Sequence, residues 1–292
     1  MWNQRPQGAR GGKPLVYTSF GDLVVPHLRD RCISDNIKGD AKLVSPNTLS
    51  WHTPPTDLSL PPNEVHVWRV SLDASPEIVQ YCTTVLSASE LARMQRYVFE
   101  RHRRRWSVAR ATLRLILSRY LNTQPGSFEF DLNAFGKPSL ATPYKETNLE
   151  FNLSHSAEIA LYAFTYNRLI GIDVEYMRAD LNFDGMARHS FSPQEQQIIS
   201  NLTGEEKRLA FFRGWTCKEA YAKALGKGFS QAFSQFSVSL LPSQPFALVQ
   251  QNEDERELSR WSFLELETAP EYAGALVVEG EEWVVKEWEF VF

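Results

Sequence analysis

Three carboxylates and two lysines in separate stretches carry the chemistry of this chain. Trp215 to Gly228 reads W-T-C-K-E-A-Y-A-K-A-L-G-K-G. Ala220, Ala222, Ala224 and Leu225 favour a helix, and Gly226 and Gly228 stand where one should stop. On that helix Glu219 and Lys223 lie one turn apart and share a face. An ordinary surface ion pair has the same spacing and contributes little. Upstream, Gly171-Ile172-Asp173-Val174-Glu175 alternates apolar with acidic residues. It predicts a strand that buries Ile172 and Val174 and presents Asp173 and Glu175 on the other face. A merely polar outer strand face gives the same letters. Two carboxylates at i and i+2, with a third on a helix, make a hard oxygen site of the kind Mg²⁺ takes beside a substrate phosphate, and Mn²⁺ has similar preferences.

Other residues extend this towards an anionic substrate. Between Ser87 and Tyr120 stand nine arginines against Glu90 and Glu100. Such a run is either a solvated face or a receptor for phosphates, whose oxygens match the guanidinium fork. Lys137 is presented between Gly136 and Pro138, and His155 stands at the end of a strand in Asn152-Leu153-Ser154-His155-Ser156. A metal bridging carboxylates to a diphosphate, with cations on further phosphates, points to transfer from a nucleotide-like donor. Cys217 has no histidine beside it in its motif and reads as a structural thiol.

Composition narrows the class. The 292 residues carry a net charge of -4, 43% hydrophobic and 23% charged residues, so nothing draws the whole chain to nucleic acid or to an anionic membrane. A nucleic-acid module built on the arginine run lacks the accompanying aromatic strand signature. The three cysteines, Cys32, Cys82 and Cys217, have no C-x-x-C spacing, which fits a reducing cytoplasm and argues against a zinc site. No apolar run is long enough to span a bilayer, and the first residues lack the apolar core of a signal peptide. A cytoplasmic protein is expected.

The elements that must position these residues begin at Glu64. Residues 1–62 are punctuated by Gly, Pro, Asn and Ser and form an extension of unknown role. Val65 to Val70 alternates as a strand. Ser75-Pro76 opens a helix, Ser87 or Ser89 another, and Arg101 to Leu121 gives a long amphipathic helix. Phe128 to Phe130 and Leu149 to Leu153 read as strands. Ile159 to Tyr166 and Leu169 to Glu175 read as a hairpin turning at Asn167-Arg168. Residues 176–190 read as a mobile loop exposing Phe183 and Met186. After the Trp215–Gly228 helix, Phe236–Leu240, Trp261–Leu264, Tyr272–Val278 and Trp283–Phe292 predict a closing meander.

G-I-D-V-E at 171–175 and W-T-x-K-E-A-x-x-K at 215–223, about forty residues apart, resemble the two signature motifs of the Sfp-type 4′-phosphopantetheinyl transferases. F-G-K-P at 135–138 and N-L-S-H-S at 152–156 resemble two further family motifs in the right order. The resemblance implies an α+β fold of two pseudo-twofold-related α/β lobes, 63–167 and 168–292. Each lobe would carry a small, mostly antiparallel sheet on helices, with the active site in the cleft between them. It implies that Asp173, Glu175 and Glu219 hold Mg²⁺ against the diphosphate of coenzyme A, the co-substrate. Ser154 and His155 would contact the 3′-phosphate, Gly136, Lys137 and Pro138 would border the adenine nucleotide, and Arg93, Arg105 and Lys223 would reach phosphates. Glu219 would act as base with Lys223 beside it. The acceptor would be the serine of an apo acyl or peptidyl carrier protein from fatty-acid, polyketide or nonribosomal peptide synthesis. That carrier would dock through the 176–190 loop, and two built-in lobes let a monomer complete the site. A magnesium-dependent phosphohydrolase would use the same carboxylates.

Overall fold

The computed structural model describes residues 51–226, 233–251 and 259–292. Cys32 and the end of the glycine-rich stretch, Gly228, lie outside the described residues. Strand β1 (Glu64–Ser71) is followed by helices α1 (Pro76–Thr84) and α2 (Ala88–Met94). Ser75 caps the first with Pro76 at its first turn, and Ser87 closes a capping box with Glu90 on the second. Helix α3 (Glu100–Leu121) ends on Asn122 in the left-handed region. Then come β2 (Phe130–Leu132), β3 (Pro138–Leu140), β4 (Leu149–Ser156), β5 (Ile159–Tyr166) and β6 (Ile170–Tyr176). Helices α4 (Phe183–Ser190), α5 (Pro193–Asn201) and α6 (Gly204–Leu225) lead to β7 (Phe236–Val238), β8 (Leu248–Gln251), β9 (Trp261–Glu265), β10 (Tyr272–Glu279) and β11 (Val284–Glu289). As the alanines predicted, Trp215 to Leu225 is the second half of α6, and Gly226 ends it at φ 66°.

Four layers result. A sheet of order β11-β1-β5-β4 lies against α3, and one of order β6-β10-β9 lies against α6. Alternation along β1 explains the stacking: Trp68 and Val70 meet Val108, Leu113 and Leu117 of α3. Val65 and Val67 turn the other way and meet Ile170, Ile172 and Val174 of β6 with Leu276 and Val278 of β10. The two sheets therefore bury their backs against each other, and each large apolar side chain so buried contributes roughly 1.5–3 kcal/mol.

Three sequence expectations are corrected. Strands β5 and β6 do not pair as a hairpin: β5 pairs with β1 and β4, and β6 pairs with β10. Asn167, at φ 56°, turns the chain from one sheet into the other. The true hairpin is β4–β5, turning at Ala157 with φ 47°. The closing meander is also broken, because β11 leaves β10 and pairs in parallel with β1. Third, residues 183–190 form α4 rather than a mobile loop. Asn182 caps it, and Phe183 is buried with its ring 5.1 Å from that of Phe211. Met186 packs on the same core. Phe183 is therefore not exposed, and Met186 is half-buried.

Residues 51–60 of the extension have a visible place. His52 bridges to Trp288 on the outer edge of β11, and Leu58 and Leu60 pack into the α3 core. An open strand edge is thereby covered.

Candidate active site

Strand β6 is buried on both faces, not one. Its Ile and Val side enters the core between the sheets, while Gly171, Asp173 and Glu175 face α6. The close approach starts at Gly171: a Cβ there would stand 1.9 Å from Ala220 O and 2.5 Å from Ala224 N. Only glycine lets the strand lie this close to the helix. Asp173 and Glu175 are each 1% exposed, and Glu219 and Lys223 of α6 are 6% and 8% exposed.

Lys223 stands at the centre. Its Nζ donates to Asp173 Oδ1 at 2.6 Å and to Ser154 Oγ at 2.9 Å. Ser154 Oγ in turn donates to Asp173 Oδ1 at 2.7 Å. Burial alone would weaken the hold of Lys223 on its proton. The charges of Asp173, Glu219 and Glu175 outweigh that, so the group stays a firm ammonium. Burial first, and then the charge of Asp173, pushes the Glu219 carboxyl well above the usual carboxylate range. The three acids thus face one cation in a dry pocket, and the cluster is short of positive charge.

A cavity of about 400 Å³ opens beside this cluster. Lys223 and Ser154 form its inner end, with His155 and Asn152, and Gly136, Lys137 and Pro138 form one side. Lys137 donates from Nζ to Ile170 O at 3.0 Å, and burial pushes its ammonium down to about 8. The other wall carries Arg93, Arg96, Arg110, Arg114, Trp106 and Phe130.

Of the predicted phosphate contacts, Arg93, Gly136, Lys137, Pro138, Ser154, His155 and Lys223 are brought together around this cavity. Arg105 is not. It forms a bidentate pair with Asp73 at 2.7 and 2.8 Å, outside the cavity. The reason is helical geometry: Trp106, Arg110 and Arg114 follow at four-residue steps on the cavity side, and Arg105 lies about 100° round from Trp106. The arginine run divides in this way throughout. Arg103 and Arg104 bind backbone carbonyls at the helix start, and Arg119 binds Pro55 O. Arg114 is buried against Glu90 at 2.8 Å, and Arg110 pairs with the same carboxylate while stacking on Phe130. Arg96 and Arg110 were missing from the sequence prediction; Arg96 lies just past the end of α2, beyond its cap Gln95.

Lys218, next to Glu219, points the other way. It is fully buried, pairs with Glu195 at 2.8 Å and donates to Phe233 O and Phe236 O. The neighbouring Cys217 is buried too, and burial pushes its thiol far up, as a structural thiol requires.

Among the described residues no three His, Cys, Asp or Glu side chains form a ready cation cage. The ammonium of Lys223 stands among the carboxylates instead. One acceptor still points to a missing positive group: Asp173 Oδ2 is buried and has no hydrogen-bond partner. The donor set, carboxylate and hydroxyl oxygen only, suits a hard divalent cation.

A family model of the 4′-phosphopantetheinyl transferase superfamily matches residues 169–277, and one of the 4′-phosphopantetheinyl transferase N-terminal region matches 71–166. The 4′-phosphopantetheinyl transferase HetI of Nostoc sp. is 39% identical over 82% of this chain and 98% of its own length. This chain belongs to the 4′-phosphopantetheinyl transferase superfamily. It is an enzyme of that class. A putative 4′-phosphopantetheinyl transferase of Synechocystis sp. is 32% identical over 67% of this chain and 76% of its own. The Bacillus subtilis 4′-phosphopantetheinyl transferase is 28% identical over 53% and 66% respectively. No helix among the described residues is long and apolar enough to cross a membrane.

Proposed function

We propose that this transferase moves 4′-phosphopantetheine from coenzyme A to a serine hydroxyl of an apo acyl or peptidyl carrier protein, with Mg²⁺ bound at the carboxylates. The observation that carries this reading is the meeting of Asp173 and Glu219, from two different elements, around Lys223, which itself lines a cation-rich cavity. The cavity matches an adenosine phosphate in size and charge. Arg93, Arg96 and Lys137 answer phosphate charge, and Trp106, Phe130 and Pro138 offer apolar faces to a base. His155 and Ser154 stand beside Lys223 and serve the 3′-phosphate and the diphosphate.

Asp173, Glu175 and Glu219 would hold the cation. When bound it neutralises charge building on the diphosphate as the bond to the leaving group breaks. The protein's own groups do the rest. Lys223, fixed by Asp173 and Ser154, presents an ammonium to the diphosphate and holds it in line. Glu219 takes the proton from the incoming serine as its oxygen bonds to the phosphorus attached to pantetheine. The bond from that phosphorus to the bridging oxygen breaks, and adenosine 3′,5′-bisphosphate leaves with the electron pair. Burial and the charge of Asp173 hold the Glu219 carboxyl above the usual carboxylate range while no cation is bound.

The test is to incubate the protein with coenzyme A, Mg²⁺ and an apo carrier protein and weigh the carrier by intact-mass spectrometry. The carrier should gain one phosphopantetheine, and Asp173→Ala should abolish the gain. Hydrolysis of coenzyme A with no gain in carrier mass would overturn the reading in favour of a phosphohydrolase.

A further inference from the structure

Strands β4 and β6 run side by side at the joint between the two sheets, yet no backbone ladder connects them. Side chains of β4 take its place. Asn152 Oδ1 accepts from Ile172 N at 2.8 Å, and Ser156 Oγ accepts from Tyr176 N at 3.0 Å. The hydroxyls of Ser154 and Ser156 donate at 2.7 Å to Asp173 and to Glu175 Oε2 respectively. Three alternate residues of one strand thus fasten both the backbone and the carboxylates of the other.

Ser154 touches Lys223 and lines the cavity. Ser156 does neither; it lies beyond the cavity and is 3% exposed. Its hydroxyl is used in both directions, as acceptor from the Tyr176 amide and as donor to Glu175. A hydroxyl anchored to backbone on one side gives a carboxylate a fixed place on the other. Glu175 is 1% exposed, so bulk solvent does not reach it.

We infer that Ser156 is a positioning residue that holds the Glu175 carboxylate in the orientation needed to receive the divalent cation. The inference rests on the metal reading above. Ser156 itself touches neither substrate nor cation. A hydroxyl at this position sets the cation affinity of the site without taking part in coenzyme A binding.

The experiment uses Mn²⁺ as probe, titrated into the full-length protein and followed by electron paramagnetic resonance of the free ion, so that binding is read without turnover. Ser156→Ala should weaken Mn²⁺ binding by about tenfold or more. Ser156→Thr, which keeps the hydroxyl and suits a strand, should restore it. Binding of adenosine 3′,5′-bisphosphate without metal should be unchanged in both. If the unaltered protein fails to bind Mn²⁺, the metal reading falls. If it binds and Ser156→Ala binds equally well, this inference alone falls. An equal loss of Mn²⁺ and adenosine bisphosphate affinity in Ser156→Ala, unrescued by Thr, would make the hydroxyl merely structural and overturn the inference too.

Discussion

Lys223 Nζ and Asp173 Oδ1 stand 2.6 Å apart across the contact of α6 with β6. This pair welds α6 to β6, and both partners are out of water. Removing one partner of such a pair leaves a bare buried charge, which costs about 3–5 kcal/mol. Lys223→Met should therefore lose that much stability in urea unfolding, along with phosphopantetheine transfer. The double variant Asp173→Asn/Lys223→Met should recover part of the stability and none of the activity. A single variant within 1 kcal/mol of the parent would show that the pair is solvated.

Gly171→Ala is expected to be as damaging as a change at the carboxylates. The added methyl would meet the backbone of Ala220 and Ala224, which no side-chain rotation can relieve. Overpacking of this kind costs typically about 1–3 kcal/mol or more. Here the strain would lift α6 away from Asp173, so loss of transfer activity should exceed what the drop in melting temperature alone explains. Full activity in this variant would contradict the tight strand–helix contact.

These two residues show what the sequence could yield. The GIDVE stretch was legible as a strand with paired carboxylates, and 215–226 as a helix with Glu219 and Lys223 on one face, because local periodicity governs both. The covering of that acidic face by α6 was not legible, since burial on the second side is set by a partner forty residues away. Gly171 was the only local hint. The β5–β6 hairpin failed for a similar reason: two apolar strands joined by a short turn can pair or part, and only the long-range partners β1 and β10 decide it. By contrast α4 could have been found. Phe183, Met186 and Ala187 stand at i, i+3 and i+4, the apolar stripe of a short helix capped by Asn182. The arginines between 93 and 119 announced a cation-rich wall, but which of them would be spent on Asp73, Glu90 and backbone carbonyls depended on tertiary partners.

Lys137 gives a pH signature. Burial holds its ammonium down to about 8, below the ordinary lysine value near 10.4. It is charged below that pH and neutral above, whereas a terminal phosphate, with its second pKa near 6, keeps its charge across the same window. Affinity for adenosine 3′,5′-bisphosphate should then be full at pH 7 and fall several-fold by pH 9. Ligand binding near pH 8 should take up a proton. Calorimetry in buffers of different ionisation enthalpy checks the uptake. Lys137→Arg, charged throughout, should flatten the profile; a slope that survives this change would belong to another group.

His66 should make the β11-β1-β5-β4 sheet acid-sensitive. Its buried ring joins Glu64 through Nε2 at 2.9 Å and Tyr120 through Nδ1 at 2.8 Å, and the Tyr120 hydroxyl already accepts from Trp68 Nε1 at 2.7 Å. The hydroxyl hydrogen therefore goes to Nδ1, and the neutral ring carries its proton on Nε2, towards Glu64. A second proton would set two donors against each other at Tyr120. Burial lowers the His66 pKa, the Glu64 carboxylate opposes that, and Lys286 adds to it. The folded state thus binds this proton less readily than the unfolded chain, where the value is about 6.5. Stability is full above that pH and declines as pH falls through it, because the unfolded state takes up the extra proton first. Melting temperature should drop between pH 7 and 5.5, before the carboxylates titrate, and His66→Gln should lose most of that slope. If His66→Gln keeps the whole slope, the imidazole is not the group responsible.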